Sequence, residues 1–397
     1  MPKLLQINVT ANSGATGKIS EEIGAMAIHR GWDSAIAFSR GTPISQSQLI
    51  HIGTPTDIRR HGLATRLLDR HGLQSQKATA DLCRAISELK PDIIHLHNIH
   101  GYYINYKLLF DFLRRYDRPV VWTLHDCWAF TGHCSHFESI GCDKWKLQCY
   151  NCSQLHSYPA SFVGDRSRAN YLDRKAAFTS LGNLTLVSPS RWLDGLISES
   201  FLSEYPKKVI HNGIDINLFR PYEKSNSKSP LILASAWVWN KSKGLGDVLK
   251  LREMIPDNYR ICLVGLTAAQ VKRMPPGITG ITRTENQKAL ARLYSQASVF
   301  VNPTYGDTFP TTNLEALACG TPVATYRTGG SPEAIDSLTG RVVERGDVRA
   351  LCDAIGELMA LPPKKISRDC RERAVKLFDQ RDRFAEYIDL YNSLLGN

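Results

Sequence analysis

The sequence predicts an α/β fold with two parallel sheets, each covered by helices on both faces. Three observations carry this. Short apolar runs alternate with stretches at helical spacing, as buried parallel strands alternate with their crossover helices. The alternation occurs twice along 397 residues, enough chain for two domains. Between the two series, Pro221 to Pro230 is polar and poor in apolar residues, which reads as a linker.

The first series opens with a strand at Leu4 to Val9 and a Ser/Gly/Thr loop from Thr10 to Gly17. A helix from Lys18 to Arg30 follows, with Ile19, Ile23, Met26 and Ala27 on one face and Gly31 closing it. Ser34 to Phe38 is a strand, and helical patterns run over about 57–72 and 78–89. Pro91 to His97 is strand-like, Lys107 to Arg115 helical, and Val120 to Leu124 a strand. After a cysteine-rich insert, a helix (about 161–180), a strand (Leu184 to Val187) and a helix (Ser190 to Ser200) resume the pattern. The second series has strands at Leu231–Ser235, Arg260–Gly265, Val299–Asn302 and Pro322–Thr325, and 347–394 is all helical.

The most informative stretch is Asn302-Pro-Thr-Tyr-Gly-Asp-Thr-Phe-Pro-Thr-Thr-Asn-Leu-Glu-Ala-Leu-Ala-Cys-Gly-Thr-Pro-Val-Ala324. It reads as strand, loop, helix, turn, strand. Asp307 and Glu315 stand eight positions apart across the loop and the helix start. Between them Phe309, Pro310, Thr311, Thr312 and Asn313 place backbone N–H groups at a helix N-terminus. Such a terminus takes anions, because its first N–H groups lack partners and the dipole favours negative charge. A carboxylate one turn into the helix can take hydroxyls beside the phosphates. The segment suits a sugar nucleotide.

This acid, seven residues, Glu pattern, followed by Ala-Leu-Ala-Cys-Gly-Thr-Pro-Val, resembles the donor-site signature of family 4 glycosyltransferases. The resemblance implies a retaining enzyme of the GT-B fold, with two Rossmann-like domains facing a cleft. It implies an acceptor domain over 1–215, a donor domain over 216–380, and a last helix, 381–397, returning to the first domain. Glu315 would bind the nucleotide ribose and Asp307 would lie by the donor sugar. Most members have Glu where this chain has Asp307.

Further clusters take roles from the same resemblance. Asn12-Ser-Gly14-Ala-Thr-Gly17 is similar to the family's N-terminal glycine loop, whose glycines let backbone approach a ligand. Val121-Trp-Thr-Leu-His125-Asp126 ends a strand, where open α/β sheets place ligands. His125 would lie near the donor sugar, hydrogen-bonding a hydroxyl or polarising the site, and Asp126 would orient it or the acceptor. His95-Leu-His97-Asn98 ends another strand, and His97 and Asn98 are acceptor candidates. Lys243, before Gly244 at a helix start, would neutralise a leaving diphosphate. The family's usual Arg five residues earlier is Val238 here, leaving Lys241 as a substitute cation. Thr328-Gly-Gly-Ser-Pro-Glu333 is a further glycine loop.

Cys134, Cys142, Cys149 and Cys152 fall within 19 residues of the insert over 127–159. Cys149-x-x-Cys152 has the tight spacing of a zinc pair, so a structural zinc is expected; reduced thiols and a disulfide stay open. Cys-rich inserts ending near Tyr158-Pro159 resemble those of colanic-acid-type exopolysaccharide transferases. No cofactor is required for the transfer implied.

With 43% hydrophobic and 22% charged residues, the chain reads as an ordinary globular protein. No run approaches the roughly 18 apolar residues of a membrane span. The N-terminal strand is too quickly polar for a signal peptide, so the expectation is a cytoplasmic protein. Net charge is +11. Arg59, Arg60, Arg66, Arg70, Lys77, Arg84 and Lys90 surround Leu63, Leu67 and Leu68. They read either as a basic amphipathic helix on the anionic inner face of the cytoplasmic membrane or as a solvated face. No nucleic-acid motif is recognisable.

The function expected is transfer of a sugar from a nucleotide-sugar donor to a glycan or lipid-linked acceptor in exopolysaccharide synthesis. The alternatives are a non-catalytic sugar-nucleotide or glycan-binding protein of the same fold, and a sugar-nucleotide epimerase.

Overall fold

The computed structural model describes residues 1–41, 43–223 and 229–396. The chain forms two compact units, Met1–Ile210 with Phe384–Asn397, and His211–Arg383. Of the expected linker Pro221–Pro230, residues 224–228 lie outside the described residues. The division falls before that stretch because His211 to Ile214 bond within the second unit. Asn212 Nδ2 donates to the Phe309 carbonyl (3.1 Å), and Ile214 N–H to the Phe378 carbonyl (2.8 Å).

The first unit contains β1 (Lys3–Ile7), α1 (Gly14–His29), β2 (Asp33–Phe38), β3 (Gln48–His51), α2 (Pro55–Leu68) and α3 (Gln76–Leu89). It continues with β4 (Ile93–Leu96), α4 (Tyr106–Tyr116), β5 (Val120–Thr123), α5 (Ser167–Phe178), β6 (Leu184–Ser188), α6 (Arg191–Ser198) and β7 (Lys207–Val209). Its sheet is parallel, in the order β3-β2-β1-β4-β5-β6-β7.

The second unit contains β8 (Leu231–Ser235), α7 (Leu245–Met254), β9 (Arg260–Val264), α8 (Ala268–Val271), β10 (Ile278–Ile281) and α9 (Gln287–Gln296). β11 (Val299–Asn302), α10 (Thr311–Ala318), β12 (Val323–Tyr326), β13 (Gly340–Val343), α11 (Val348–Ala360) and α12 (Pro363–Phe378) complete it. Its sheet is also parallel, in the order β10-β9-β8-β11-β12-β13. Both sheets reverse their winding beside the first strand, between β1 and β4 and between β8 and β11. That is where an open α/β sheet leaves a crevice for ligands.

The last helix, α13 (Gln380–Leu394), passes from one unit into the other. Phe384, Tyr387, Ile388 and Tyr391 pack with Leu4, Ile23, Trp32, Ile93, Val121 and Val187 in a buried cluster of the first unit. Tyr391 O–H donates to His95 Nδ1 (2.6 Å), tying the helix to the sheet through a polar bond as well.

Two expected elements shift. The helix expected over 161–180 is α5, which starts at Ser167 because the Asp165 carboxylate accepts the Ser167 N–H (2.8 Å) and holds 161–166 as loop. α1 begins at Gly14 rather than Lys18, so half of the glycine loop is the first turn of the helix.

Candidate functional site

In the second unit, the loops after β8 and β11 meet at the winding reversal. Lys243 sits on a short 3-10 turn, Lys241–Lys243, which Asn240 caps by accepting the Lys243 N–H (3.1 Å). Gly244 follows with φ +76°, and a Cβ there would lie 2.1 Å from the Pro303 carbonyl oxygen. Only glycine lets the two loops press together this way. The Tyr305 N–H then donates to the Ser242 carbonyl (2.8 Å). Lys243 Nζ is thereby held 2.8 Å from Asp307 Oδ2 and 3.4 Å from Thr304 Oγ1. Tyr305 and Tyr326 hydroxyls both donate to buried Asp247 (2.7 and 3.0 Å), which fixes the loop from the other side.

Beyond Asp307 the chain enters α10. Pro310 precedes its first turn without a side-chain cap, so Thr311 and Thr312 present helix N-terminal N–H groups. Glu315, one turn in, accepts a hydrogen bond from the buried Tyr294 hydroxyl (2.8 Å). Burial and the Glu315 carboxylate hold that phenol well above its usual pKa, so Tyr294 stays protonated and donates. The second glycine loop lies against the first: a Cβ on Gly329 would sit 1.7 Å from the Asp307 carbonyl oxygen, and Gly330 N–H donates to it (3.2 Å).

Two residues expected to bind the donor have buried side chains. Asn313 accepts from Asn302 Nδ2 (2.9 Å) and donates to the Ser331 carbonyl (3.4 Å). Phe309 is 2% exposed and stacks on His211 at 4.8 Å. His211 Nε2 in turn lies 3.2 Å from Glu333, so the His211 turn braces the loop before α10. Their side chains support the loop, which leaves its backbone and the two threonines to face outward. Lys241 and Val238 are exposed. Arg283, beyond β10, has its guanidinium 5.4 Å from the ring of exposed Trp237. It is a cation that the sequence pattern gave no reason to single out.

In the first unit, the strand ends carry a histidine chain. Gln6 Nε2 donates to the Ser20 carbonyl (2.7 Å), which turns its Oε1 toward His97 Nε2 (3.0 Å). His97 therefore carries its proton on Nε2 and accepts at Nδ1 from His125 Nε2–H (3.0 Å). The network fixes the neutral His125 tautomer with its lone pair on Nδ1. Burial lowers the His125 pKa to about 4, against the opposing pull of Asp126. It is neutral at pH 7.

His97 is 1% exposed with both nitrogens engaged, so its place is behind His125 rather than against an acceptor. His95, fully buried, is used by Tyr391 and Thr123. Asp126 lies 2.9 Å from His100 Nε2 and accepts the Trp128 N–H (2.9 Å). Burial would raise its pKa, but the His100 charge and these hydrogen bonds take it down to about 2. Asn98 accepts the Tyr103 hydroxyl at its carbonyl (2.7 Å). Gly17 is buried against Thr10, and Gly14 has open space around it.

Comparison with known proteins assigns the chain. A model described as Glycosyltransferase Family 4 matches residues 22–218, and one described as Glycosyl transferases group 1 matches residues 230–360. The chain belongs to the family 4 type of glycosyltransferases. The colanic acid biosynthesis glycosyl transferase WcaC of Escherichia coli is 23% identical over 98% of this chain and 100% of its own. A D-inositol 3-phosphate glycosyltransferase from a Mycobacterium species is 25% identical over 91% of this chain and 82% of its own. Among solved structures, sucrose-phosphate synthase from Thermosynechococcus elongatus covers both chains fully at TM-score 0.76 and 18% identity. Anabaena HepE in complex with UDP-glucose covers 98% of this chain and 99% of its own at TM-score 0.67 and 14% identity. The architecture is GT-B, with two Rossmann-like domains.

The cysteine insert of this glycosyltransferase is held by buried polar contacts. Arg174, under the insert, donates to the Trp128 and Thr131 carbonyls (both 2.9 Å), and His133 pairs with Asp69 at 2.7 Å with both side chains fully buried. Cys134, Cys142, Cys149 and Cys152 line one small cavity with Phe137 and Trp145. Gly132 N–H donates to Cys149 Sγ (3.2 Å). All four are free thiols. Among the described residues, no group of three or more His, Cys, Asp or Glu side chains is placed to hold a metal ion. No helix among them is long and apolar enough to cross a membrane.

Proposed function

We propose that this glycosyltransferase moves a sugar from a nucleotide-sugar donor to a hydroxyl of a glycan or lipid-linked oligosaccharide, in cell-surface or exopolysaccharide synthesis, with retention at the anomeric carbon. The observation that carries the donor reading is the cation beside a helix start: Lys243 Nζ is 2.8 Å from Asp307, on the loop that leads into α10. The lysine and the Thr311 and Thr312 N–H groups are matched to a diphosphate, and Glu315 to ribose hydroxyls. The bond from C1 to the diphosphate oxygen breaks, and the acceptor oxygen bonds to C1 on the same face. The acceptor's proton passes to the leaving phosphate. His125 keeps the role that the family resemblance implies, a hydrogen bond to a sugar hydroxyl. The likeness to WcaC supports an exopolysaccharide acceptor, and the UDP-glucose of HepE makes UDP-sugars the first donors to try.

A thermal-shift screen of UDP-, GDP-, ADP- and dTDP-sugars tests this, because a ligand of the native state alone must raise Tm. The expected result is a rise for one nucleotide class, worth about 2.7 kcal/mol at a hundred times Kd. The rise is expected to disappear in Glu315→Ala. No rise with any donor, and no transfer or hydrolysis of one, would overturn the reading in favour of a non-catalytic protein.

For the insert, a structural zinc is kept as a proposal. Four thiols on one cavity are a soft donor set suited to zinc, and the Gly132 N–H donates to Cys149 Sγ. Binding requires the thiols to turn inward together. Metal analysis is expected to find close to one zinc per chain, lost in Cys149→Ser/Cys152→Ser. A content well below one in the wild type overturns it. No step of the transfer runs through this metal.

A further inference from the structure

The cysteine insert ends on a tyrosine that is anchored at its tip and open along its ring. Tyr158 is 45% exposed, yet its hydroxyl lies 3.1 Å from His100 Nδ1. His100 Nε2 lies 2.9 Å from Asp126 Oδ2. Asp126 is ionised at neutral pH. With a carboxylate at Nε2, the neutral imidazole carries its proton there and accepts the Tyr158 O–H at Nδ1. The hydroxyl is thereby committed inward, and the plane of the ring is fixed by this chain of side chains.

A second ring stands beside the first. Tyr102 is half-buried and has φ +71°, a left-handed backbone that a bulky residue adopts only where its surroundings impose it. Its ring centroid lies 6.2 Å from that of Tyr158 at 69°, so the rings form a corner. Fully buried His71 meets both edge-on, at 5.0 and 5.8 Å, and its Nε2 accepts the Gly101 N–H (3.3 Å). Arg40 donates to the Gly101 carbonyl (2.6 Å) and has its guanidinium 5.6 Å from the Tyr102 ring. Arg40 follows β2, His100 and Tyr102 follow β4, and Asp126 follows β5, directly after His125. These are the carboxyl ends of parallel strands, where open sheets take their ligands.

We propose that Tyr158 and Tyr102 form the seat of a pyranose ring of the acceptor, with Tyr158 brought to the strand ends by the insert and held by the His100–Asp126 pair. The carbon-bound hydrogens on one face of a pyranose are apolar and slightly positive, which suits the negative face of an aromatic ring. The Arg40 guanidinium beside Tyr102 is a donor for the sugar's hydroxyls. A platform fixed before the ligand arrives loses little freedom on binding. His100 and Asp126 are then positioning residues, acting on the acceptor through Tyr158. The insert has a purpose in the same terms: it completes, from outside the sheet, a corner that the strand-end loops only begin. The proposal rests on the reading of the acceptor as a glycan.

The test is saturation-transfer NMR on the full chain with the methyl glycosides of glucose, galactose, mannose and glucuronic acid, each with and without UDP. Wild type is expected to transfer to at least one of them, most strongly at the carbon-bound protons of one ring face. Tyr158→Ala is expected to weaken the affinity for that glycoside about tenfold. Tyr158→Phe keeps the ring and loses its anchor, and is expected to weaken it about threefold. His100→Gln should also cost about threefold in the wild type, and nothing further on top of Tyr158→Phe. An unchanged Tm shows that each variant is folded. No transfer to any glycoside by the wild type, with or without UDP, would overturn the proposal. So would wild-type affinity in Tyr158→Ala, a loss in Tyr158→Phe as large as in Tyr158→Ala, or a His100→Gln effect that persists in the Tyr158→Phe background. Glycoside binding by a protein whose Tm no nucleotide sugar raises would support the seat and count against the donor reading alone.

Discussion

Lys243→Ala is expected to lower kcat by about 10²–10³-fold, the usual cost of removing one charged or hydrogen-bonding group aimed at a developing negative charge. The effect is large because the lysine is fixed in advance. The Asn240 cap, the Gly244 approach and the Asp307 and Thr304 contacts hold Nζ in place, so little reorganisation remains at the moment of bond breaking. Lys243→Arg is expected to recover only part of the rate. It keeps the charge, but a planar fork does not fit a pocket shaped around a point charge. The side chain is 33% exposed and outside the core, so Tm should hardly move. Initial rates at saturating donor check this. A Lys243→Ala rate within about threefold of wild type would show that another cation, such as Lys241 or Arg283, does the neutralising.

Stability is expected to fall steeply as pH drops from 7.5 to 5.5. His61, His71, His95 and His97 are all buried, at 0–1% exposure, and burial leads the causes that push each pKa below 6.5, to about 3 for His61. A histidine with a lowered folded pKa binds its proton more readily in the unfolded chain. Stability is therefore complete above about pH 6.5 and is lost as pH falls below it. His133 works the other way. Its bond to Asp69 overcomes burial and raises its pKa, so its contribution is present below 6.5 and lost on going higher. His125, lowered to about 4, acts in the same sense as these four, so five groups oppose His133 alone and the net effect of acid is destabilising. Urea unfolding between pH 7.5 and 5.5 measures this, and hydrogen exchange locates it. Protection should be lost first in Met1–Ile210, because eleven of the twelve histidines lie there. A flat midpoint across that range, or earlier loss in His211–Arg383, would contradict it.

The strands that sequence patterning missed were β3, β7, β10 and β13. These are the four edges of the two sheets. An edge strand is flanked on one side only and needs no continuous apolar run, so Gln48–His51 and Lys207–Val209 carry no signal above that of a loop. The inner strands are apolar on both faces and were readable. The loop proposed to bind the donor was readable for a different reason: Asp307, Glu315 and the helix start between them are contiguous, so spacing alone describes the candidate site. Its supports were not. Tyr294, His211 and Asp247 come from other elements, and nothing local marks them as neighbours of the loop.

The sequence by itself determined the α/β class and the family, because each depends on local pattern or on order along the chain. Tertiary structure alone decided which polar side chains are tools and which are supports. His97 and Asn313 look like ligand-binding residues in sequence, yet packing surrounds both with protein partners. It also decided that α2 turns its leucines outward beside Phe162 and Val163. A helical period reveals that one face is apolar. Which way that face points depends on contacts with residues far away in the chain.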